Sequence, residues 1–299
     1  MASHSDNRKP VALITGIHGF TGQYVRAELV EAGYEVLGLS NEAGAGVHAA
    51  NLCDRDAVAA VVKQVQPDVV VHLAAIAFVA HGDADAIYRT NVSGTRNLLE
   101  ALASCPRAPR AVLLASSANV YGNSDEEVLT EETAVAPAND YAVSKLAMEY
   151  MAKLWMDRLP IILARPFNYT GVGQSEKFLL PKIVNHFRRG ERVIELGNIE
   201  VARDFQDVRF VANAYRRLIE ADAAGQTINI CSGLAHTLME VVGMLQALAG
   251  YPMDIRVNPA FVRANDVMKL RGSNQKLESI IGALDIVPLE RTLAWMYSA

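Results

Sequence analysis

Val11-Ala12-Leu13-Ile14-Thr15-Gly16-Ile17-His18-Gly19-Phe20-Thr21-Gly22 is an apolar run that breaks into three glycines spaced three residues apart. Residues 11–15 read as a short buried strand, and the amphipathic stretch 20–32 reads as the helix that follows. Glycine permits the tight turn and close backbone approach that such a strand-to-helix junction needs. In that setting the loop points its helix N-terminus at a phosphate, the arrangement used for the pyrophosphate of a dinucleotide. The same glycines without a strand before them and a helix after them would be an ordinary turn.

The rhythm continues outward from this junction. Strands are expected at 35–40, 69–74, 111–116 and 161–165, and helices at 54–65, 83–104 and from Tyr141 onward. Continuous apolar strands separated by helix-length segments imply an α/β fold. This is a Rossmann-type doubly wound parallel sheet, covered on both faces, with ligands at the carboxyl ends of the strands. From Asn168 the pattern loosens into a turn at 171–175, a helix at 177–189, a strand edge and helix over 204–220 and a strand at 227–231. Beyond it come helices at 238–249 and 276–281, with an extended piece near Ile255. The expected organisation is a disordered tail over 1–10 and a dinucleotide-binding domain from 11–168 plus about 203–231. A smaller C-terminal substrate-binding lobe is expected from about 169–202 plus 232–299.

The 299 residues are 51% hydrophobic, enough for a large buried core. Formal net charge is −5 with both signs interspersed, which argues against a nucleic-acid groove or a basic membrane-facing patch. No apolar run reaches the roughly 18 residues of a membrane span, and the polar start carries no secretion signal, so a cytoplasmic protein is expected. Cys53, Cys105 and Cys231 are three, far apart and without metal-ligand spacing; they read as packing residues, and no metal is expected.

The end of the second strand, where an acid would bind the adenosine ribose, holds Ser40-Asn41. Without a carboxylate to repel a 2'-phosphate, NADP(H) is expected to be preferred, with NAD(H) possible. His18 and Arg55 are the nearby basic candidates, although each reads first as a solvated surface group. Tyr141-Ala142-Val143-Ser144-Lys145 places a phenol and an ammonium about one helical turn apart on one face. A free phenol has a pKa of about 10, and lowering it by about three units takes about 4 kcal/mol of phenolate stabilisation. A fixed lysine charge, helped by a nicotinamide cation, could supply that. Ser117, after the preceding apolar run, is the third candidate, and an exposed helical pair with a strand-closing hydroxyl is the plain reading of all three.

Taken in order, these residues carry a family resemblance. Gly16-x-x-Gly19-x-x-Gly22, His72-Leu73-Ala74-Ala75, Asn91-Val92-x-Gly94-Thr95 and Ser116-Ser117 come first. Val120-Tyr121-Gly122, Tyr141-x-x-x-Lys145 and Arg165-Pro166-x-Asn168 follow. The pattern resembles the extended short-chain dehydrogenase/reductase family. The resemblance implies that Ser117, Tyr141 and Lys145 are catalytic: Tyr141 exchanges a proton with a sugar oxygen, Ser117 hydrogen-bonds that oxygen, and Lys145 holds the nicotinamide ribose and lowers the phenol's pKa. It implies cofactor contacts from Gly16, His18, Gly19, Phe20, Thr21 and Gly22. Further contacts are implied from Ser40, Asn41, Leu73, Ala74, Ala75 and Pro166, while Asn91 fixes the central helix. Asn51-Leu52 stands where the family usually has Asp-Leu, along the adenine.

The second half, with Gly197-Asn198-Ile199-Glu200-x-x-Arg203-Asp204-Phe205-x-Asp207-Val208 and Asn229-Ile230-Cys231-Ser232-Gly233, resembles the GDP-sugar members of that family. This implies a GDP-linked keto-deoxysugar held by Ser117, Asn119, Asn168, Arg203, Arg263 and Asp266, and a homodimer. Arg203 could equally pair with Asp204 or Asp207 as a loop salt bridge, and Arg263 be a solvated lobe residue. Dehydratases need acids just after the active-site serine, where this chain has Ala118 and Asn119. GDP-fucose synthases need a cysteine there and a lobe histidine, and His186 reads as a helix-surface residue. The expected activity is therefore NAD(P)H-dependent reduction of the C4 ketone of a GDP-4-keto-6-deoxy sugar, to GDP-D-rhamnose, GDP-6-deoxy-D-talose or a heptose analogue. The alternatives are a nucleotide-sugar 4-epimerase, a GDP-mannose 4,6-dehydratase, or a catalytically silent dinucleotide-sensing protein on the same fold.

Overall fold

The structure is a computed structural model that describes residues 8–77, 82–262 and 268–299. Strand β1 (Val11–Thr15) leads through the glycines into α1 (Phe20–Glu31), then β2 (Glu35–Ser40), β3 (Val47–Ala49), α2 (Arg55–Val65) and β4 (Val69–His72). Next come α3 (Ala84–Tyr88), a π-helical turn (Arg89–Gly94), α4 (Thr95–Ala103), β5 (Ala111–Ala115), a 3-10 turn (Ala118–Tyr121), α5 (Asp140–Lys153) and β6 (Ile161–Pro166). The chain continues as β7 (Asn168–Thr170), α6 (Leu179–Arg188), β8 (Val193–Leu196), β9 (Ala202–Arg203), β10 (Phe205–Asp207), α7 (Val208–Glu220) and β11 (Thr227–Ile230). It ends with β12 (His236–Thr237), α8 (Leu238–Ala249), β13 (Asp254–Val257), β14 (Lys269–Leu270), α9 (Gln275–Ile281) and α10 (Leu289–Ser298).

Seven strands form the parallel sheet expected from the alternation, in the order β11-β6-β5-β4-β1-β2-β3. The chain moves outward from β1 to β2 and β3, then returns to β4 on the other side; this reversal is the switch point of a doubly wound sheet. β1 is in register with β4 so that Thr15 faces His72.

Two compact units emerge from the contacts. The first holds the described residues up to Ala115 with Ala147–Leu163 and Tyr215–Gln226. Its core sets Leu13, Val70, Val112, Leu114 and Leu163 of the strands against Leu98 and Leu102 of α4. Of the expected tail, residues 1–7 lie outside the described residues, and Arg8 is tied down by two bonds to Asp68, 2.8 and 2.7 Å long. Helix α2 starts where Asp54 accepts the Ala57 N–H at 3.0 Å, as an N-cap should.

The second unit holds Ser116–Leu146, Ala164–Ala214 and the described residues from Thr227 to Ala299. Ile183 and Phe187 of α6, Val241 and Leu245 of α8 and Leu293 of α10 share one core. Helix α8 has a Thr237/Glu240 capping box and a left-handed Gly250 at its end. The extended piece near Ile255 is β13, paired in parallel with β8.

Three differences from expectation have local causes. The strand foreseen at 69–74 stops at His72, because the Ala74 N–H turns to the Thr15 hydroxyl. The helix foreseen at 83–104 is interrupted by the π-helical turn, in which buried Asn91 spends its side chain on the backbone of Ile76. Helix α6 starts at Leu179, with Pro181 in its first turn, where a missing N–H costs nothing.

Leu114 is fully buried in the first core. Leu114→Ala should lower unfolding free energy by about 2–5 kcal/mol through lost transfer energy and a residual cavity, read from the urea midpoint.

Candidate active site

In the first unit, Gly16 has φ +73°, in the left-handed region, and a Cβ there would lie 2.9 Å from the Ala74 nitrogen. A Cβ on Gly22 would come within 2.3 Å of the Gly16 oxygen, so the loop is packed onto the first turn of α1. The Gly19 N–H closes the turn on the Gly16 carbonyl at 3.0 Å. Gly19 is the N-cap of α1 and offers no side-chain cap, and the first turn carries no acid, an end that suits a phosphate.

His18 is exposed, Thr21 is half-buried, and Phe20 meets Tyr24 edge-on at 5.6 Å. Ser40 is half-buried at the end of β2 with Asn41 exposed after it; the next carboxylate is exposed Glu42. Arg55 pairs with Glu100, which leaves it the surface ion pair of its plain reading. Asn51 accepts the Cys53 N–H at 2.9 Å, and Leu52 belongs to the core. Leu73, Ala74 and Ala75 are half-buried in the loop after β4.

In the second unit, Asn139 accepts the Ala142 N–H at 2.9 Å and so starts the helix that carries Tyr141 and Lys145. Ser117 caps the 3-10 turn by accepting the Asn119 N–H at 3.2 Å. The Ser117 and Tyr141 hydroxyls are hydrogen-bonded to each other, and the Lys145 ammonium lies 5.9 Å from the phenol ring centre. All three side chains are buried.

Burial pushes the Tyr141 phenol well above its ordinary value, nearby Tyr169 adds to this, and the Ser117 bond opposes it. The protein's own groups therefore hold the proton on Tyr141; the lowering expected from Lys145 was one shared with a nicotinamide cation. Desolvating a phenolate here outweighs the single hydrogen bond.

Gly122, with φ +61°, follows the 3-10 turn; a Cβ there would sit 1.8 Å from the Ala136 oxygen. Beside it the Tyr121 hydroxyl donates to Asn229 at 2.7 Å and accepts from Arg165 at 3.0 Å. Burial, moderated by Arg165, pushes the Tyr121 phenol up to about 12.

Asn119 is half-buried, Pro166 is buried at the end of β6, and Asn168 is exposed on β7. Arg203 donates to the carbonyls of Ala202 and Met268 at 3.0 and 3.1 Å. The alternative pairs are committed elsewhere: Asp204 accepts from the Ser232 hydroxyl and the Gly233 N–H at 2.7 and 2.8 Å, and Asp207 from Arg209 and Thr292. Arg263 and Asp266 lie outside the described residues. Of the acids at 125–127, Glu126 accepts from Thr133 and Glu127 pairs with Lys269. No cluster of three metal-ligating side chains occurs among the described residues. The sequence reading passed over Thr15, and it cited His72 and Thr95 only within motifs; all three hydroxyl and imidazole groups meet in the first unit.

Both raised phenols act on stability with one sign. The neutral phenol fits the fold better than the phenolate, so the folded state is undiminished below the unfolded pKa of about 10. It then loses stability as pH climbs through the folded value, about 12 for Tyr121. Melting temperature should therefore fall more steeply above about pH 10 in the wild type than in Tyr121→Phe or Tyr141→Phe, measured by calorimetry across that range.

A Burkholderia cenocepacia J2315 crystal structure, provisionally termed an epimerase, is 50% identical with a TM-score of 0.92 over 97% of each chain. The GDP-6-deoxy-D-talose 4-dehydrogenase of Aggregatibacter actinomycetemcomitans is 34% identical over 90% of each chain. The GDP-6-deoxy-D-mannose reductase of Pseudomonas aeruginosa is 32% identical over 94% of this chain and 93% of its own. Residues 12–231 match the NAD dependent epimerase/dehydratase family, and the chain belongs to it.

Proposed function

We propose that this protein reduces the C4 ketone of a GDP-linked 4-keto-6-deoxy sugar, with Tyr141 as the proton donor. The observation that carries this is the buried Ser117–Tyr141 hydroxyl pair with Lys145 one turn along, beside positions 118 and 119 that hold no carboxylate. A nicotinamide dinucleotide supplies the hydride. The glycine loop, Ala74 and Ala75 would hold it, and Lys145 would reach its ribose.

As C4 gains hydride, its oxygen gains negative charge and takes the Tyr141 proton, so the ketone becomes a secondary alcohol. Ser117 orients that oxygen and stabilises the charge. The high proton affinity of Tyr141 keeps it protonated until an alkoxide forms beside it. Arg203, with Arg263, would hold the diphosphate, and Asn119, Asn168 and Asp266 would line the sugar and nucleoside. Both named relatives act on GDP-6-deoxy sugars, one as a 4-dehydrogenase and one as a reductase, which supports the sugar class and the redox step. NADP(H) is the preferred dinucleotide in this reading, because neither Ser40 nor Asn41 carries the charge that repels a 2'-phosphate. The protein is expected to be a homodimer through the helices near 83–104 and 139–157, the second of which exposes Tyr150. Sedimentation should return twice the chain mass.

The Burkholderia structure is termed an epimerase, which motivates one second reading; in this chain that reading is 4-epimerisation with retained cofactor. GDP-4-keto-6-deoxy-mannose supplied with NADPH or NADH separates the two. Reduction consumes one dinucleotide per ketone and gives a C4 alcohol assignable by NMR, whereas isomerisation without net consumption overturns the reductase reading. Tyr141→Phe should lower kcat by about 100-fold or more with dinucleotide affinity within about twofold; unchanged turnover would remove Tyr141 as the acid.

A further inference from the structure

His72, at the end of β4, is buried with both ring nitrogens hydrogen-bonded: Nδ1 lies 2.6 Å from the Thr15 hydroxyl and Nε2 lies 2.8 Å from the Thr95 hydroxyl. The neighbours decide where the ring proton sits. Thr95 donates its one hydroxyl hydrogen to the Asn91 carbonyl at 2.7 Å, so toward His72 it can only accept. His72 must then carry hydrogen on Nε2, and in the neutral imidazole this leaves Nδ1 as an acceptor. Thr15 therefore donates to Nδ1, and its lone pair takes the Ala74 N–H at 3.2 Å.

This ordered chain begins and ends on one loop. It runs from the Ala74 N–H through Thr15, His72 and Thr95 to the Asn91 carbonyl. The Asn91 side chain then returns to Ile76, accepting its N–H at 2.9 Å and donating to its carbonyl at 3.2 Å. Residues 74–76 are thus held at both ends, against the glycine loop whose Gly16 allows no Cβ beside the Ala74 nitrogen.

We propose that His72, in its Nε2-protonated tautomer, is a positioning residue that sets the gap between the Gly16 loop and the Ala74–Ile76 loop, and through that gap the affinity for the dinucleotide. The proposal rests on the dinucleotide reading of the glycine loop. Its effect falls on binding: His72 touches no reacting atom, so the relay changes dinucleotide Kd and KM while kcat at saturation holds.

The test has two parts. Long-range nitrogen–proton NMR of histidine-labelled protein should show His72 with a pyrrole-type Nε2 and a pyridine-type Nδ1; the opposite tautomer or a doubly protonated ring overturns the proposal. NADPH and NADH titrations of Thr15→Val should show Kd raised about tenfold, as loss of a buried partner predicts, with Thr15→Ser restored to within about twofold. A lowered melting temperature with unchanged Kd assigns the relay to stability alone and overturns the proposal. Should Thr15→Val fail to fold, Thr95→Val at the far end of the relay decides by the same criterion: raised Kd supports the proposal and unchanged Kd overturns it. Failure of the wild type itself to bind either dinucleotide sinks the functional reading and this proposal together; normal wild-type binding with unaffected variants sinks only the relay.

Discussion

The carboxyl ends of β1 and β4 approach each other backbone to backbone, with Gly16 at φ +73° against the Ala74 nitrogen, and much of the first unit follows from that approach. A side chain at position 16 would push the two loops apart. Because the strands are in parallel register at Thr15 and His72, the polar side chains at those positions meet where the sheet ends. A buried imidazole between two threonines is tolerated because both of its ring nitrogens have a partner. The interruption of the helix at Asn91 belongs to the same arrangement, since that side chain turns from solvent to the backbone of Ile76.

The second unit poses a different electrostatic problem. A phenol in a dry setting keeps its proton, which makes it a poor source of phenolate and a well-poised acid. Reduction of a ketone asks only for the second property, because the alkoxide that forms is a stronger base than a phenolate. Lys145 lies beside the ring, where its charge need not act on the hydroxyl alone. The buried Tyr121, clasped by Arg165 and Asn229, shows that a neighbouring cation does not by itself bring a phenol down when desolvation is large.

What was legible in the sequence was local. The run from Val11 to Gly22, the strand at 35–40 and the helix at 238–249 follow from apolar period and capping, and the structure places all three as read. What escaped depends on partners far along the chain. The short strands β9, β12 and β14 exist because residues near 203, 236 and 270 pair with one another. The fate of Arg55 turned on Glu100, and the ring partners of His72 lie 57 and 23 residues away. Helix α10 is the exception: no helix was expected there, although Leu289, Leu293 and Met296 recur at helical spacing and a local signal was present.

That last helix has a consequence for how the protein is made. Its apolar face completes the core shared by α6 and α8, and Thr292 donates to the buried Asp207 at 2.8 Å. During synthesis the earlier helices emerge first, so until α10 has followed them the second unit carries an open apolar cleft and an incompletely bonded carboxylate. A chain without α10 would keep that cleft open, with apolar surface of the kind that chaperones bind and that drives aggregation.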